Sequence, residues 1–204
     1  MIGVYNYTVI ATYVSLFTGL SGIFLAMQGS VRPAFLCLML SGLLDAFDGR
    51  IARTKKDRSD SEKRYGIQID SLNDVVCFGV LPAAIGFAIE KDSILFLAVM
   101  QFYVLAALIR LGYFNVMEEE RQDGTSDVRT YYLGMPVTAA SFLAPLAYLA
   151  ALLFHLTPFV VYAVALFVYG VLFITPMRVR KLKLPGILAM TALGAVTLVL
   201  LFVL

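Results

Sequence analysis

Residues 45–74 read DAFDGRIARTKKDRSDSEKRYGIQIDSLND, and the rest of the chain is read outward from them. They set four carboxylates in two pairs, Asp45 with Asp48 and Asp70 with Asp74, on segments whose flanks are apolar enough for membrane helices. Spacings of three and four put each pair on one helix face, with Cβ atoms roughly 5–6 Å apart. An ionised Asp near hydrocarbon costs about 2.5–3.5 kcal/mol on insertion scales. Four of them require a compensating cation or a wet cavity. The simplest compensation is a bound divalent metal, and an all-oxygen ligand set suits a hard ion such as Mg2+, Mn2+ or Ca2+.

The surrounding composition fits that reading. Of 204 residues, 60% are hydrophobic and only 15% are charged, with a mean hydropathy of +0.85. Soluble domains are nearer half apolar, and a membrane span needs about 20 mostly apolar residues. The sequence predicts an all-α polytopic membrane protein, a single integral domain over residues 1–204 with no separate soluble unit. Seven spans are expected near residues 6–28, 33–53, 66–89, 93–116, 134–155, 157–175 and 185–204. The first lacks the basic start and small-residue cleavage site of a secretory signal, so it is expected to remain as a span.

The net charge of +2 is uninformative, and no nucleic-acid partner is expected, but the placement of charge orients the chain. Basic residues gather at Arg53, Lys55, Lys56, Arg58, Lys63 and Arg64, at Arg121 and Arg129, and at Arg178, Arg180, Lys181 and Lys183. The alternate connections carry only Arg32 and Lys91. The positive-inside rule then places the N-terminus and the carboxylate stretch at the cytoplasmic side of a multi-pass protein of the cell membrane, and the C-terminus outside. The cluster at 178–183 is expected to anchor at anionic head groups of membrane lipids.

Most other polar residues have a structural reading beside a functional one. Thr8, Thr12, Ser15 and Thr18 with Gly19 and Gly22 suit a helix–helix contact, or Thr12 or Ser15 touches a polar head group. Gly79, Ala83, Ala84, Gly86, Ala106 and Ala107 allow close backbone approach, within the bundle or across a dimer. Cys37 and Cys77 lie in apolar runs and read as packed thiols. The charged run at Glu118, Glu119, Glu120, Arg121, Asp123, Asp127 and Arg129 reads as a solvated face, and His155 as an interfacial residue.

Residues 45–53 follow D-x-x-D-G-x-x-A-R and residues 66–74 follow G-x-x-x-D-x-x-x-D. Gly49 and Gly66 lie about one turn from the aspartates, where a missing side chain admits a large ligand. Ala52 keeps that face low, and Arg53 offers a planar fork for phosphate. Metal, arginine and open backbone together describe a diphosphate site. The structural alternative is a set of salt bridges from the four carboxylates to Arg50, Arg53 and Arg110, but intramembrane ionisable residues are functional by default.

The combined pattern resembles the signature of the CDP-alcohol phosphotransferases, integral membrane enzymes that move a phosphatidyl or related group from a CDP-linked donor to an alcohol and release CMP. All eight specified positions are present. The resemblance implies a bundle of six core transmembrane helices, here with about one extra, usually as a homodimer. It implies a divalent metal among Asp45, Asp48, Asp70 and Asp74, with Asp74 also the general base, and a CDP moiety against Asp45, Gly49, Ala52, Arg53 and Gly66. One departure is the twelve-residue spacer, residues 54–65, longer than is usual in the family. A longer cytoplasmic connection is expected from it.

Three further stretches look like the phosphatidylserine synthase branch: DSLNDVVCFGVLPAA at 70–84, ALIRLGYFNV at 107–116 and YLGMPVTAA at 132–140, with Met135, Val137 and Thr138 as variations. The resemblance covers a catalytic core of about residues 1–155 and fades in the C-terminal spans, 156–204. It implies CDP-diacylglycerol as donor and L-serine as acceptor. A zwitterionic amino acid needs a cation for its carboxylate, for which Arg110 is the candidate if it does not serve the diphosphate or pair with Asp70 or Asp74. Asn115 is a further candidate, and the segment around Gly134 and Pro136 is expected to shape the cytoplasmic entry of span five. Two other readings stay open. One is synthesis of phosphatidylglycerophosphate or phosphatidylinositol phosphate, whose acceptors would demand more converging Arg and Lys. The other is cation transport, which would need a route to the far side.

Overall fold

The computed structural model describes residues 2–55, 57–124, 131–180 and 184–203. The apolar runs fold as helices at the expected places: α1 (Tyr7–Met27), α2 (Val31–Thr54), α3 (Asp60–Asp74), α4 (Leu81–Ile89), α5 (Ile94–Gly124), α6 (Ala140–Leu153), α7 (Pro158–Ile174) and α8 (Leu184–Val203). A π-helical stretch, Val75–Val80, joins α3 to α4, so the two make one rod from Asp60 to Ile89. The protein is an all-helical bundle with one small addition. Two short strands, β1 (Tyr131–Leu133) and β2 (Arg178–Arg180), pair antiparallel with Tyr132 opposite Val179. That ribbon ties the entry of α6 to the exit of α7, where the sequence predicts only loop and a lipid anchor. Lys181 and Lys183 of the anchor lie outside the described residues.

Local chemistry explains the element ends. Asn6 caps α1 by accepting from the Thr8 amide at 3.1 Å. At the other end Gly29 takes a left-handed φ of 78°, which lets the Ser30 amide reach the Leu25 carbonyl at 2.9 Å and turns the chain directly into α2. Helix α3 begins six residues before the expected start, because Ser59 and Glu62 form a capping box: Ser59 Oγ accepts from the Glu62 amide and Glu62 accepts from the Ser59 amide. The long spacer is thereby taken into helix. The connection between α2 and α3 is only residues 55–59, not the lengthened loop that the sequence predicts. Helix α5 likewise runs on to Gly124, carrying Glu118, Glu119 and Glu120 as helix.

Phe35, Phe78, Leu81, Ile85, Tyr103, Tyr162 and Leu166 fill the centre. Small residues set the close contacts within the chain. A Cβ on Gly19 would meet Cys77 Sγ at 2.5 Å, and one on Gly86 would meet Met100 Sδ at 2.5 Å. The outer faces are apolar, with Ile10, Val14, Phe17 and Phe24 exposed on α1 and Leu105, Leu108 and Ile109 on α5. Such a belt suits lipid rather than water. Among the described residues three helical stretches, Tyr7–Met27, Asp60–Ile89 and Ile94–Glu120, are long and apolar enough to cross a membrane. His155 is exposed in the turn between α6 and α7.

Candidate active site

The docking of α1, α2 and α3 brings the two aspartate pairs to one corner. Asp45 from α2 and Asp70 and Asp74 from α3 each offer a carboxylate oxygen, all within 4.8 Å of one another. Asp48, one turn along α2, is not in that trio. It lies against the Asp70 side chain and accepts from Thr12 Oγ1 at 3.2 Å. Asp48 and Asp74 are buried, at 8% and 7% exposure, and Asp45 and Asp70 are half-buried.

Two of these carboxylates are incompletely satisfied. Asp70 Oδ1 and Asp74 Oδ1 are both buried without a hydrogen-bond partner among the described residues. Leaving a buried acceptor unpaired costs about 1–3 kcal/mol, more if it is charged. Two ionised carboxylates at this separation also repel by about 3–4 kcal/mol at an effective dielectric of 20. Convergent carboxylates, two of them with an unpartnered buried oxygen, fit a hard divalent cation, which offsets both the missing partners and the repulsion.

A second layer of polar groups holds the corner rigid. Ser41 Oγ donates to the Ser15 carbonyl at 3.2 Å, Asn73 Nδ2 donates to Ser15 Oγ at 3.4 Å, and Cys77 Sγ donates to Asn73 Oδ1 at 3.3 Å. These bonds fix α1 to α2 and α3 just beneath the carboxylates. Immediately after Asp74 the helix widens, with the Leu81 amide reaching back five residues to Val76. A π turn of this kind offsets the face carrying Asp70 and Asp74 from the face by which α4 packs, and such turns recur at functional sites.

The remaining predicted residues divide. Nothing lies within 4 Å of where a Cβ on Gly49 would be, so that position is open, and Ala52 is half-buried one turn on. Arg50 and Arg53 lie on α2, but their side chains are outside the described part, as are Lys56, Arg129 and Asp127 and the side chains of Arg121, Asp123 and Arg180. Gly66 is not open: the Arg58 guanidinium is seated against it, with Nη2 2.7 Å from the Cβ position. Arg110 is buried at 6% exposure, donates from Nε to the Met135 carbonyl at 3.3 Å and stands 5.5 Å over the Phe114 ring. Gly134, with φ of 78°, leaves room for it, since a Cβ there would lie 3.2 Å from Arg110 Nε. Asn115 accepts from Ser71 Oγ at 2.6 Å and donates to Gln68 at 3.1 Å.

Arg58, Ser71 and Asn73 were not singled out by the sequence. Asn73 and Ser71 carry a signal, being polar residues on the same helix turns as Asp70 and Asp74. Arg58 carries none, because its place depends on how the connection folds. That connection is organised by Glu62. Its Oε1 accepts from Asn6 at 2.8 Å and Lys55 at 2.9 Å, and its Oε2 from the Ser59 amide at 2.9 Å.

The sequence profile described as CDP-alcohol phosphatidyltransferase matches residues 5–176. The CDP-diacylglycerol–serine O-phosphatidyltransferase of Saccharomyces cerevisiae is 32% identical over 163 residues, 73% of this chain and 58% of the relative. The protein of the same name from Helicobacter pylori (strain 26695) is 32% identical over 143 residues, 69% of this chain and 56% of the relative. The archaetidylserine synthase of Methanothermobacter thermautotrophicus is 36% identical over 101 residues, 49% and 42% respectively. The chain spans about half the length of the curated relatives it matches.

Proposed function

We infer that this chain, which belongs to the CDP-alcohol phosphatidyltransferase family, transfers the phosphatidyl group of CDP-diacylglycerol to the hydroxyl of L-serine and releases CMP. The observation that carries the reading is the convergence of one carboxylate oxygen each from Asp45, Asp70 and Asp74, at a corner where Asp70 and Asp74 also keep a buried oxygen without a partner among the described residues. The names of the relatives support serine as acceptor, and so do the stretches at 70–84, 107–116 and 132–140.

In this reading Asp45, Asp48, Asp70 and Asp74 hold Mg2+ or Mn2+. Bound there, the ion supplies charge neutralisation for the diphosphate. The open backbone at Gly49, with Ala52 and Arg53 beyond it, receives the CDP head between the first four helical rods, and the acyl chains lie along the apolar outer faces. Asp74 takes the proton of the serine hydroxyl as its oxygen attacks the phosphorus that carries diacylglycerol. The new P–O bond forms as the P–O bond to CMP breaks, in line, with positioning and electrostatics supplying most of the rate. No Cys or His lies in the acidic corner among the described residues other than Cys77, which is bonded to Asn73, so direct transfer is favoured over a phosphatidyl-enzyme. Arg110, held by Met135 and Phe114, is aimed by the β1–β2 ribbon region and serves the serine carboxylate or the diphosphate, with Asn115 nearby on α5.

The basic clusters support seven crossings with the carboxylate corner at the cytoplasmic face. Family resemblance adds a homodimer. The test is incorporation of labelled serine into lipid by the purified chain, given CDP-diacylglycerol and Mg2+ or Mn2+, with stoichiometric CMP. Turnover of glycerol 3-phosphate instead of serine would move the protein to another branch, and no CMP release with any acceptor would end the reading.

A further inference from the structure

The spacer that departs from the usual length brings a side chain to the site. Arg58 sits in the connection between α2 and α3, and its guanidinium rests on Gly66, one turn before Asp70 on the same face of α3. A side chain at 66 would collide with it, since a Cβ there falls 2.7 Å from Nη2 and 3.9 Å from Cζ. One of its donors is spent on the protein, Nη2 to the Glu62 carbonyl at 3.1 Å. Another is not: Nε is buried and has no hydrogen-bond partner among the described residues.

The surrounding bonds hold the group there. The Ser59–Glu62 capping box, the Lys55–Glu62 ion pair at 2.9 Å and the Asn6–Glu62 bond tie Lys55 and residues 58–62 together as a strap. The charge pattern along this face of α3 is therefore a guanidinium at Gly66 followed, one and two turns on, by the carboxylates of Asp70 and Asp74. A half-buried guanidinium whose Nε has no partner among the described residues, on the face of α3 that carries the carboxylates, is the complement of a nucleoside diphosphate: one end of the anion meets the metal and the other meets the fork.

We propose that Arg58 is a phosphate-binding residue of the nucleotide site, delivered to Gly66 by the strap of residues 58–62. The assignment rests on the reading of this corner as the seat of a CDP-linked donor. It changes the role of Gly66 from a gap left for the ligand to a seat for the residue that grips the ligand.

The experiment titrates CDP into the purified full chain in the presence of Mn2+, and measures Mn2+ binding separately by electron paramagnetic resonance. Loss of one charge-assisted contact predicts that Arg58→Ala weakens CDP binding by about ten- to a hundred-fold. KM for CDP-diacylglycerol rises in parallel, while Mn2+ affinity and KM for serine stay at the wild-type value. Arg58→Lys recovers part of the loss. Glu62→Gln, which loosens the strap, moves CDP affinity the same way by a smaller factor. Undiminished CDP binding by Arg58→Ala overturns the assignment and leaves the site reading standing. So does loss of Mn2+ affinity along with CDP, which would make Arg58 a support for the fold. A wild-type chain that binds Mn2+ but no CDP overturns both.

Discussion

Two sets of polar groups inside this bundle are treated in opposite ways. On α5 and α7 the phenols of Tyr103, Tyr162 and Tyr169 each donate to a backbone carbonyl: Phe78 at 2.6 Å, Pro82 at 3.0 Å and Leu143 at 3.3 Å. The hydroxyls of the fully buried pair, Tyr103 and Tyr162, reach the π stretch and the first turn of α4, so they pin α5 and α7 to the rod that carries the acids. On α3 the carboxylates of Asp70 and Asp74 each keep an oxygen with no such partner among the described residues. A satisfied buried group specifies packing, whereas an unsatisfied one is a standing cost that a ligand can relieve.

The largest effects should fall on the unsatisfied side. Asp74→Asn removes the group assigned to accept the serine proton, and turnover should drop by about 10²–10⁴-fold. Nucleotide binding should change far less. Asp70→Asn should abolish CMP release through loss of Mn2+ affinity, with membrane insertion and helix content unchanged. Assays of CMP release beside Mn2+ titration separate the two roles. Normal activity in Asp70→Asn would remove the metal assignment, and equal losses of binding and turnover in Asp74→Asn would remove the base.

The same orphaned oxygens predict a stability effect of the metal. A cation that binds only the folded corner stabilises it by mass action, about 2.7 kcal/mol at a hundred times its Kd. Mn2+ should therefore raise the Tm of the wild-type chain in detergent, and Asp70→Asn should cancel the rise. A rise of the same size in that variant would place the cation elsewhere.

Tyr162→Phe should do the reverse of these changes. It leaves a buried carbonyl at Pro82 without its donor, which costs about 0.5–1.5 kcal/mol of stability. CMP release per folded molecule should stay near the wild-type rate. A variant that folds normally but loses catalysis would mean that the phenol belongs to the site, and the contrast between the two regions would fail.

Much of this was legible in the sequence because it depends on local periodicity. Apolar runs of spanning length mark the helices, and the spacings of Asp45 with Asp48 and Asp70 with Asp74 place each pair on one face wherever those helices go. What was not legible depends on docking. The convergence of Asp45 with Asp70 and Asp74, the seat of Arg58 on Gly66 and the hold of Met135 on Arg110 join residues from 8 to 29 positions apart, and no short-range pattern encodes them. The early start of α3 is a different case. Ser59 and Glu62 spell a capping box in the sequence, and that signal outranks the polarity by which residues 60–65 read as loop. The β1–β2 ribbon had no signal at all, since three-residue strands carry too few alternations to register.

The contact between Thr12 and Asp48 stands between the two regions, and it gives the finest test. Asp48 is a site carboxylate, yet Thr12 Oγ1 donates to its Oδ2 at 3.2 Å across the interface of α1 and α2. Thr12 is itself buried at 5% exposure, so its hydroxyl has been drawn out of water to make that bond. If the bond orients Asp48 toward Asp70, Thr12→Val should keep the fold and the shape of the contact but let the carboxylate turn. A neutral donor to a charged acceptor, partly replaceable by the remaining contacts, is worth about 0.5–1.5 kcal/mol, or roughly a two- to ten-fold loss in CMP release. Thr12→Ser keeps the hydroxyl and loses only a methyl group, so it should restore the rate while remaining slightly less stable. The pattern discriminates because packing and hydrogen bonding rank the two variants oppositely: packing alone favours Val over Ser, and orientation of Asp48 favours Ser over Val. A valine variant as active as wild type, beside an impaired serine variant, would move Thr12 into the company of the tyrosines.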